Sequence, residues 1–197
     1  MKDFWNERYD EESFAYGNAP NEFFKQQLDK LKVGSILLPA EGEGRNAVYA
    51  LSKGWEVLAF DFSESAKTKA QQLAIKSGFN IEYQIIDALK FKSSKKFDVI
   101  AFCYAHFPVA IRKKANQHLL KSLKPNGHII FEAFSKDQLG KSSGGPKNID
   151  MLYAIDEVEN EFKGINFEIL EEKEIVLNEG IYHIGDASVI RFTGTKA

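Results

Sequence analysis

A single cysteine, Cys103, stands in the whole chain of 197 residues. It leaves no internal disulfide to form and disfavours a zinc cluster. It lies in the apolar run "FDVIAFCYAHF", which suits a small buried side chain better than a nucleophile. Long hydrophobic runs are missing too. Nowhere do 18 apolar residues follow one another, and the opening "MKDFWNERYDEESF" has no apolar core of a secretion signal. The expectation is a cytoplasmic protein with no membrane partner. Neither sign of charge dominates: 26 Lys plus Arg against 28 Asp plus Glu give −2, so no global field draws nucleic acid or an anionic surface. The local clusters Lys90/Lys92/Lys95/Lys96 and Arg112/Lys113/Lys114 read as solvated faces. No metal-ligand spacing is visible.

What is present is a regular alternation. Near-continuous apolar runs at 35–39, 56–61, 81–87, 97–103 and 127–134 are separated by helical patterns at roughly 45–53, 64–77 and 112–123. Ser63 is placed to cap the second helix, and Gly78 and Gly127 to close the second and third. Strand, helix, strand with short links predicts an α/β fold with a parallel sheet and right-handed crossovers, covered on both faces. After residue 134 the rhythm changes. A polar, glycine-containing stretch at 135–153 leads to a helical pattern at 154–162. Two long strand-like runs at 167–178 and 187–196 follow, joined by "EGIYHIGD" as in a hairpin. The first 30 or so residues read as helices ahead of the sheet. One domain covers the chain, with 1–33 as a helical cap and 135–153, longer than an ordinary connection, as a lid.

The turn after the first strand, "LLPAEGEGRNAVYA", carries the chemistry. Gly42, Gly44 and Ala47 satisfy a dinucleotide fingerprint, with Asp61 about 20 positions on. Glu41 and Glu43 argue against a pyrophosphate there. Each would oppose it by about 1 kcal/mol or more even at a fairly high effective dielectric. A cofactor with a sulfonium and an ammonium group, and no phosphate, has the opposite preference. S-Adenosylmethionine is such a cofactor, and Asp61 can take its ribose hydroxyls.

The segments "WNERY", "YGNAPNEFF", "LLPAEGEGRNAVYAL", "EVLAFDFSESA", "IIDALKF", "FDVIAFCYAHF", "LKPNGHIIFEAFS", "GGPKNIDMLY" and "EGIYHIGDASVIRFTG" resemble, in order and over almost the whole chain, the class I S-adenosylmethionine-dependent methyltransferases. The likeness is greatest to the small tellurite-resistance and thiopurine-methyltransferase-like group. It implies a Rossmann-like seven-stranded sheet of order 3-2-1-4-5-7-6 with strand 7 antiparallel. It also implies that Ala40, Glu41, Gly42 and Gly44 face the methionine moiety, with Arg45 and Asn46 opening the next helix. Asp61 would bind ribose, Phe62 and Ser63 would lie beside adenine, and Asp87 with Ala88 would hold its amino group. Cys103, Tyr104 and His106 would line the methyl-transfer site, while Trp5, Tyr9, Tyr16 and Asn21 would close over the cofactor. Two departures stand out: Leu38 and Ala40 replace the usual strand-end acid and first glycine, which leaves Glu41 nearest to the acid's role.

Methyl transfer is an in-line displacement for which alignment and a dry pocket matter most. A base is needed only for an acceptor that holds its proton. His106, His183 and Tyr16 are the candidates, whereas His118 and His128 read as structural. The acceptor is expected to be a small molecule: thiol, selenium or tellurium oxyanion, halide or metabolite. Two rivals remain open at this point, a nicotinamide-dependent oxidoreductase and a non-catalytic cofactor-binding module. A nucleic-acid methyltransferase is disfavoured, since "CYAHFP" stands where an Asn-Pro-Pro-aromatic signature belongs.

Overall fold

The computed structural model describes residues 2–197. Five parallel strands come first: β1 (Ser35–Pro39), β2 (Glu56–Asp61), β3 (Glu82–Ile85), β4 (Phe97–Cys103) and β5 (Leu123–Phe134). The hairpin of β6 (Ile165–Glu179) and β7 (His183–Lys196) completes the sheet through the antiparallel β5–β7 pair. The order is β3-β2-β1-β4-β5-β7-β6, as the sequence resemblance implies. It reverses direction between β1 and β4, and in open α/β sheets ligands bind outside the carboxyl ends of the strands at that point.

The apolar runs are continuous because both sheet faces are covered. Alternate residues of a strand point to opposite faces. Ile36 and Leu38 of β1 pack with Phe24 and Leu28 of α2 (Glu22–Leu28), Ala47 and Ala50 of α3 (Arg45–Ser52), and Ala70 of α4 (Glu64–Lys76). Leu37 enters the other core, with Phe102, Phe131, Leu119 of α5 (Val109–Leu120) and Phe162 beyond α6 (Ile155–Glu161). Ser63 caps α4 as expected, its Oγ accepting from the Ala66 N–H at 3.2 Å.

Some expectations shift. The third crossover helix runs over 109–120, not 112–123, with Pro108 at its N-cap, where a missing N–H costs nothing. The fifth strand begins at Leu123, not 127. Phe97 pairs with Leu123 and Val99 with His128, so residues 124–127 bulge out of the ladder. Leu123 is buried, and the core contact outweighs the turn signal of "KPNG". Arg112 is not part of a solvated face. It is buried and bonded to Glu161 at 2.8 Å, while Lys113 and Lys114 are exposed.

The helical cap is α1 (Lys2–Asp10) and α2. Helix α1 lies on the start of α4: Asn6 Oδ1 accepts from Ser63 Oγ at 2.7 Å and from the Glu64 N–H at 3.2 Å. The stretch at 135–153 carries structure of its own, with 3-10 turns at Lys136–Gln138 and Ile149–Met151. It is packed down, with Gln138, Ser143, Leu152 and Tyr153 buried. Among the described residues no helix is long and apolar enough to cross a membrane.

Candidate active site

At the carboxyl end of β1 the chain turns through Ala40 with φ 51°, and at the end of the neighbouring β4 Tyr104 has φ 54°. Left-handed backbone is costly for non-glycine residues, and it collects where function over-determines geometry. Within this turn Glu41 folds back onto α3. Its Oε1 accepts from the backbone N–H groups of Asn46 (2.9 Å) and Ala47 (2.8 Å). Those are the free donors at the helix N-terminus that a pyrophosphate would need. A carboxylate of the chain already holds these two, which counts against the phosphate reading of the glycine turn. Burial pushes Glu41 up to about 7, against the pull of the Ala47 N–H and the Arg45 charge.

Asp61, at the end of β2, lies beside this turn. Its Oδ2 accepts from the Gly42 N–H (3.2 Å) and its Oδ1 from the Ser63 N–H (3.0 Å). Burial raises it to about 6. Tyr83 completes the support by donating from Oη to the Gly42 carbonyl at 2.7 Å. Phe62 is half-buried and Ala88 buried, while Asp87 is exposed after β3, its Oδ1 accepting from the Leu89 N–H at 2.8 Å. Glu43 is turned outward from Glu41, toward the cap. It accepts from the Ala15 N–H (2.8 Å) and from Lys69 Nζ (2.9 Å), which also donates to the Ser13 carbonyl.

The cap meets the turn through aromatic rings. A β-carbon on Gly42 would lie 2.8 Å from the Tyr9 hydroxyl. Tyr9 stacks on Trp5 (5.4 Å) and meets Tyr16 edge-on (6.4 Å), and Tyr16 lies 4.4 Å from His183. Under these rings runs a buried polar network. Asn21 Nδ2 bridges Glu132 (2.6 Å) and Glu179 (3.4 Å), and its N–H donates to Asn46 Oδ1 at 2.8 Å. Arg45 donates to Glu179 (2.9 Å) and to the Tyr16 carbonyl (3.1 Å). Arg191 pairs with Glu132. Burial favours the neutral form of Glu179, yet His183 and the Arg45 charge bring it below its ordinary value.

Beyond Tyr104 lies a second group of rings, His183, Phe134 and His106. Tyr104 is 4.6 Å from His183 and 4.7 Å from Phe134, and its buried hydroxyl has no partner. Burial holds that phenol well above its usual range, with the Glu132 charge adding to it. Cys103 is likewise pushed up by burial, which disfavours its thiolate. His106 has both ring nitrogens engaged: Nδ1 donates to the Met151 carbonyl (2.8 Å) and Nε2 accepts from the Phe134 N–H (3.2 Å). Burial lowers it to about 4. In this arrangement it braces the 135–153 stretch and has no lone pair left for an acceptor proton. His183 is buried and also lowered by burial, with Nδ1 3.4 Å from Glu179. Gly144, at φ 122°, lies over its ring: a β-carbon there would sit 2.8 Å from His183 Cδ2.

This layout, with acidic groups on the turn and two α3 amides held by Glu41, fits a cofactor with cationic groups better than one with a phosphate there. Residues 36–127 match the family described as a methyltransferase domain. That match covers 92 of the 197 residues, and the seven-stranded fold around it is that of the class I S-adenosylmethionine-dependent methyltransferases. The solved structures it is similar to include one described for the conversion of a disulfide bond into a thioacetal group during echinomycin biosynthesis, at 15% identity over 100% of this chain and 91% of that one, with a TM-score of 0.80. TehB from Haemophilus influenzae gives 15% identity, coverages of 100% and 67%, and 0.75. The N-methyltransferase NodS from Bradyrhizobium japonicum WM9, in complex with S-adenosylhomocysteine, gives 15%, 89% and 88%, and 0.66. No curated protein matches the sequence.

The fold brings Ala40, Glu41, Gly42, Gly44, Arg45, Asn46, Asp61 and Ser63 to one sheet edge, with Trp5, Tyr9, Tyr16 and Asn21 above. Sequence reasoning missed Tyr83, Glu132 and Glu179, which hold these groups from distant elements. The segment "NEGIYHIGD" around Glu179 carries turn composition and no local sign of an ionic role. Among the described residues no group of three His, Cys, Asp or Glu is placed to hold a metal ion.

Proposed function

We propose that this protein is an S-adenosylmethionine-dependent methyltransferase that acts on a small acceptor with a soft nucleophilic atom, a thiol or a selenium or tellurium species, as in the tellurite-resistance and thiopurine-methyltransferase-like group. The observation that carries this reading is the closure of the carboxyl edge. The cap rings, the hairpin residues Tyr182 and His183, and Gly144 of the 135–153 stretch meet at ring separations of 4.4–6.5 Å. Such an enclosure favours a small acceptor, and the proposed lid, 135–153, adds to it by opening for entry and release. The structural neighbour described for a disulfide-to-thioacetal conversion concerns sulfur chemistry, which points the same way.

Asp61 is the group for the ribose hydroxyls, the Glu41 turn for the methionine part, and Phe62, Asp87 and Ala88 for the adenine. The bound cofactor supplies an electrophilic methyl carbon on a positively charged sulfur. The chain's part is to align the acceptor with that carbon and keep water out, and Tyr104, Phe134 and Tyr16 provide apolar walls for it. Glu179 receives the Nδ1 side of His183, so Nε2 is the basic atom there, available to an acceptor that arrives protonated. A soft acceptor already ionised at neutral pH needs no base. The test is a screen of thiols, selenite, tellurite, halides and amines with methyl-labelled S-adenosylmethionine, read as volatile or extractable label. Label in thiol or chalcogen products supports the reading. Label appearing only with amines or halides overturns it.

A further inference from the structure

Between the cap and the hairpin lies a buried network in which positive and negative groups balance. Arg45 of α3 pairs with Glu179 of β6, and Arg191 of β7 pairs with Glu132, its neighbour across the β5–β7 ladder. Asn21 ties the two pairs together, its Nδ2 reaching both carboxylates. Apolar side chains of similar volume would hold such a place at least as well, so these pairs invite a reason other than stability. The network stands behind the wall proposed for the acceptor. The Tyr104 N–H donates to the Glu132 carbonyl at 2.7 Å, and the Glu132 charge is felt at the Tyr104 phenol. The other cations set into this edge are also held, Lys69 by Glu43, and Arg112 by Glu157 and Glu161. Arg8 of the cap spreads over the Tyr182 ring at 3.7 Å and hydrogen-bonds the Tyr16 phenol. That is the far end of the ring series from Tyr104 and Phe134. Burial pushes His106 and His183 toward the neutral form. An anion placed against Tyr104 and Phe134 would lose its water and meet no unpaired cation of the described residues there.

We propose that the acceptor is bound as an uncharged molecule, and that Glu132 sets this preference by cancelling the charge of Arg191 behind the Tyr104 wall. The idea rests on the methyl-transfer reading above. It narrows the acceptor class to thiols that enter with their proton on, and leaves out the oxyanions of selenium and tellurium. The test compares two product-like ligands of nearly equal shape, the para-carboxamide and the para-carboxylate of benzyl methyl sulfide. Their binding is measured on the full chain with S-adenosylhomocysteine bound. That ligand carries no positive sulfur, so the comparison reads the protein's own charges. The carboxamide is expected to bind about tenfold or more tighter than the carboxylate. Glu132→Gln releases Arg191 and is expected to abolish or reverse the preference. Adding Arg191→Gln to it is expected to restore the preference, which a merely structural role of the pair would not do. The same order is expected in kcat/KM for the two corresponding thiols with methyl-labelled S-adenosylmethionine. Equal or tighter binding of the carboxylate to the unchanged protein overturns the proposal, as does a preference that survives Glu132→Gln. Methylation of selenite or tellurite would keep the soft-acceptor reading and overturn this one, and label confined to an uncharged aniline would do the reverse.

Discussion

At the scale of single residues, two buried carboxylates, Glu41 and Asp61, stand at the turn proposed for the cofactor, and their burial is expected to make the protein sensitive to pH. Asp61 at about 6 and Glu41 at about 7 both sit above their ordinary values, so the folded chain holds protons that the unfolded chain has released. Stability linked to these groups is complete below about pH 4 and is lost as pH rises through 6 and 7. Ligand binding runs the other way, because ribose hydroxyls and cationic groups prefer the ionised acids. Affinity for S-adenosylhomocysteine is expected to rise between pH 5 and 8 with release of protons, measurable by calorimetry in buffers of different ionisation enthalpy. Asp61→Asn should flatten both dependences and weaken binding by about 1.5–3 kcal/mol for each charged bond lost; unchanged affinity in a folded Asp61→Asn protein would move the ribose site. Glu41→Ala removes the acceptor for two α3 N–H groups. It should cost about 1–2 kcal/mol, comparable with loss of a helix cap, or a few degrees in melting temperature for a chain of this size.

At the scale of elements, the site depends on pieces that meet far from one another in the chain. The β6–β7 turn carries Gly180 at φ 69°, and a β-carbon there would lie 2.3 Å from Gly17 N and 2.7 Å from the Ala15 carbonyl. Backbone on backbone cannot yield as a flexible side chain can. Gly180→Val is therefore expected to unseat residues 15–17 from the hairpin, costing at least about 1–2 kcal/mol for the left-handed conformation alone, and to speed proteolytic cutting between residues 11 and 20. The 135–153 stretch has its own anchor in Arg112, which donates to the Asp150 carbonyl (3.0 Å) and the Leu152 carbonyl (2.9 Å) while paired with Glu157 and Glu161. If the stretch is a lid, the segment around Gly140 to Gly145 is the part that opens, with 150–153 as its fixed end. Protease should then cut near 140–146 in the free protein and more slowly with S-adenosylhomocysteine and an acceptor together. Equal protection in both states would make the stretch a fixed wall.

At the scale of the whole molecule, the expected ligand response separates a methyltransferase from a nicotinamide enzyme built on the same turn. A ligand at 100 times its dissociation constant stabilises by about 2.7 kcal/mol. S-Adenosylhomocysteine should raise the melting temperature by several degrees, and NAD at the same concentration should leave it where it was. A shift with NAD alone would mean that Glu41 can release the α3 amides.

The parallel sheet, its crossovers, the terminal hairpin and the turn at 40–44 with Asp61 were legible in the sequence. Each depends on local pattern: runs of apolar residues, a cap such as Ser63, and glycines placed after a strand. The acidic turn was legible as a preference against phosphate, but its cause was not. Only the fold turns Glu41 back onto Asn46 and Ala47, sends Glu43 outward to Lys69, and commits both nitrogens of His106 to backbone partners. Which arginines are paired was equally out of reach, because Arg45 meets Glu179 across 134 positions and Arg191 meets Glu132 across 59. A hydrogen bond is decided within a few ångströms, and chain proximity predicts that distance only for neighbours in sequence. The pattern of side chains therefore determined which elements form and how they layer, while the partner of each buried charge was settled where those elements close on one another.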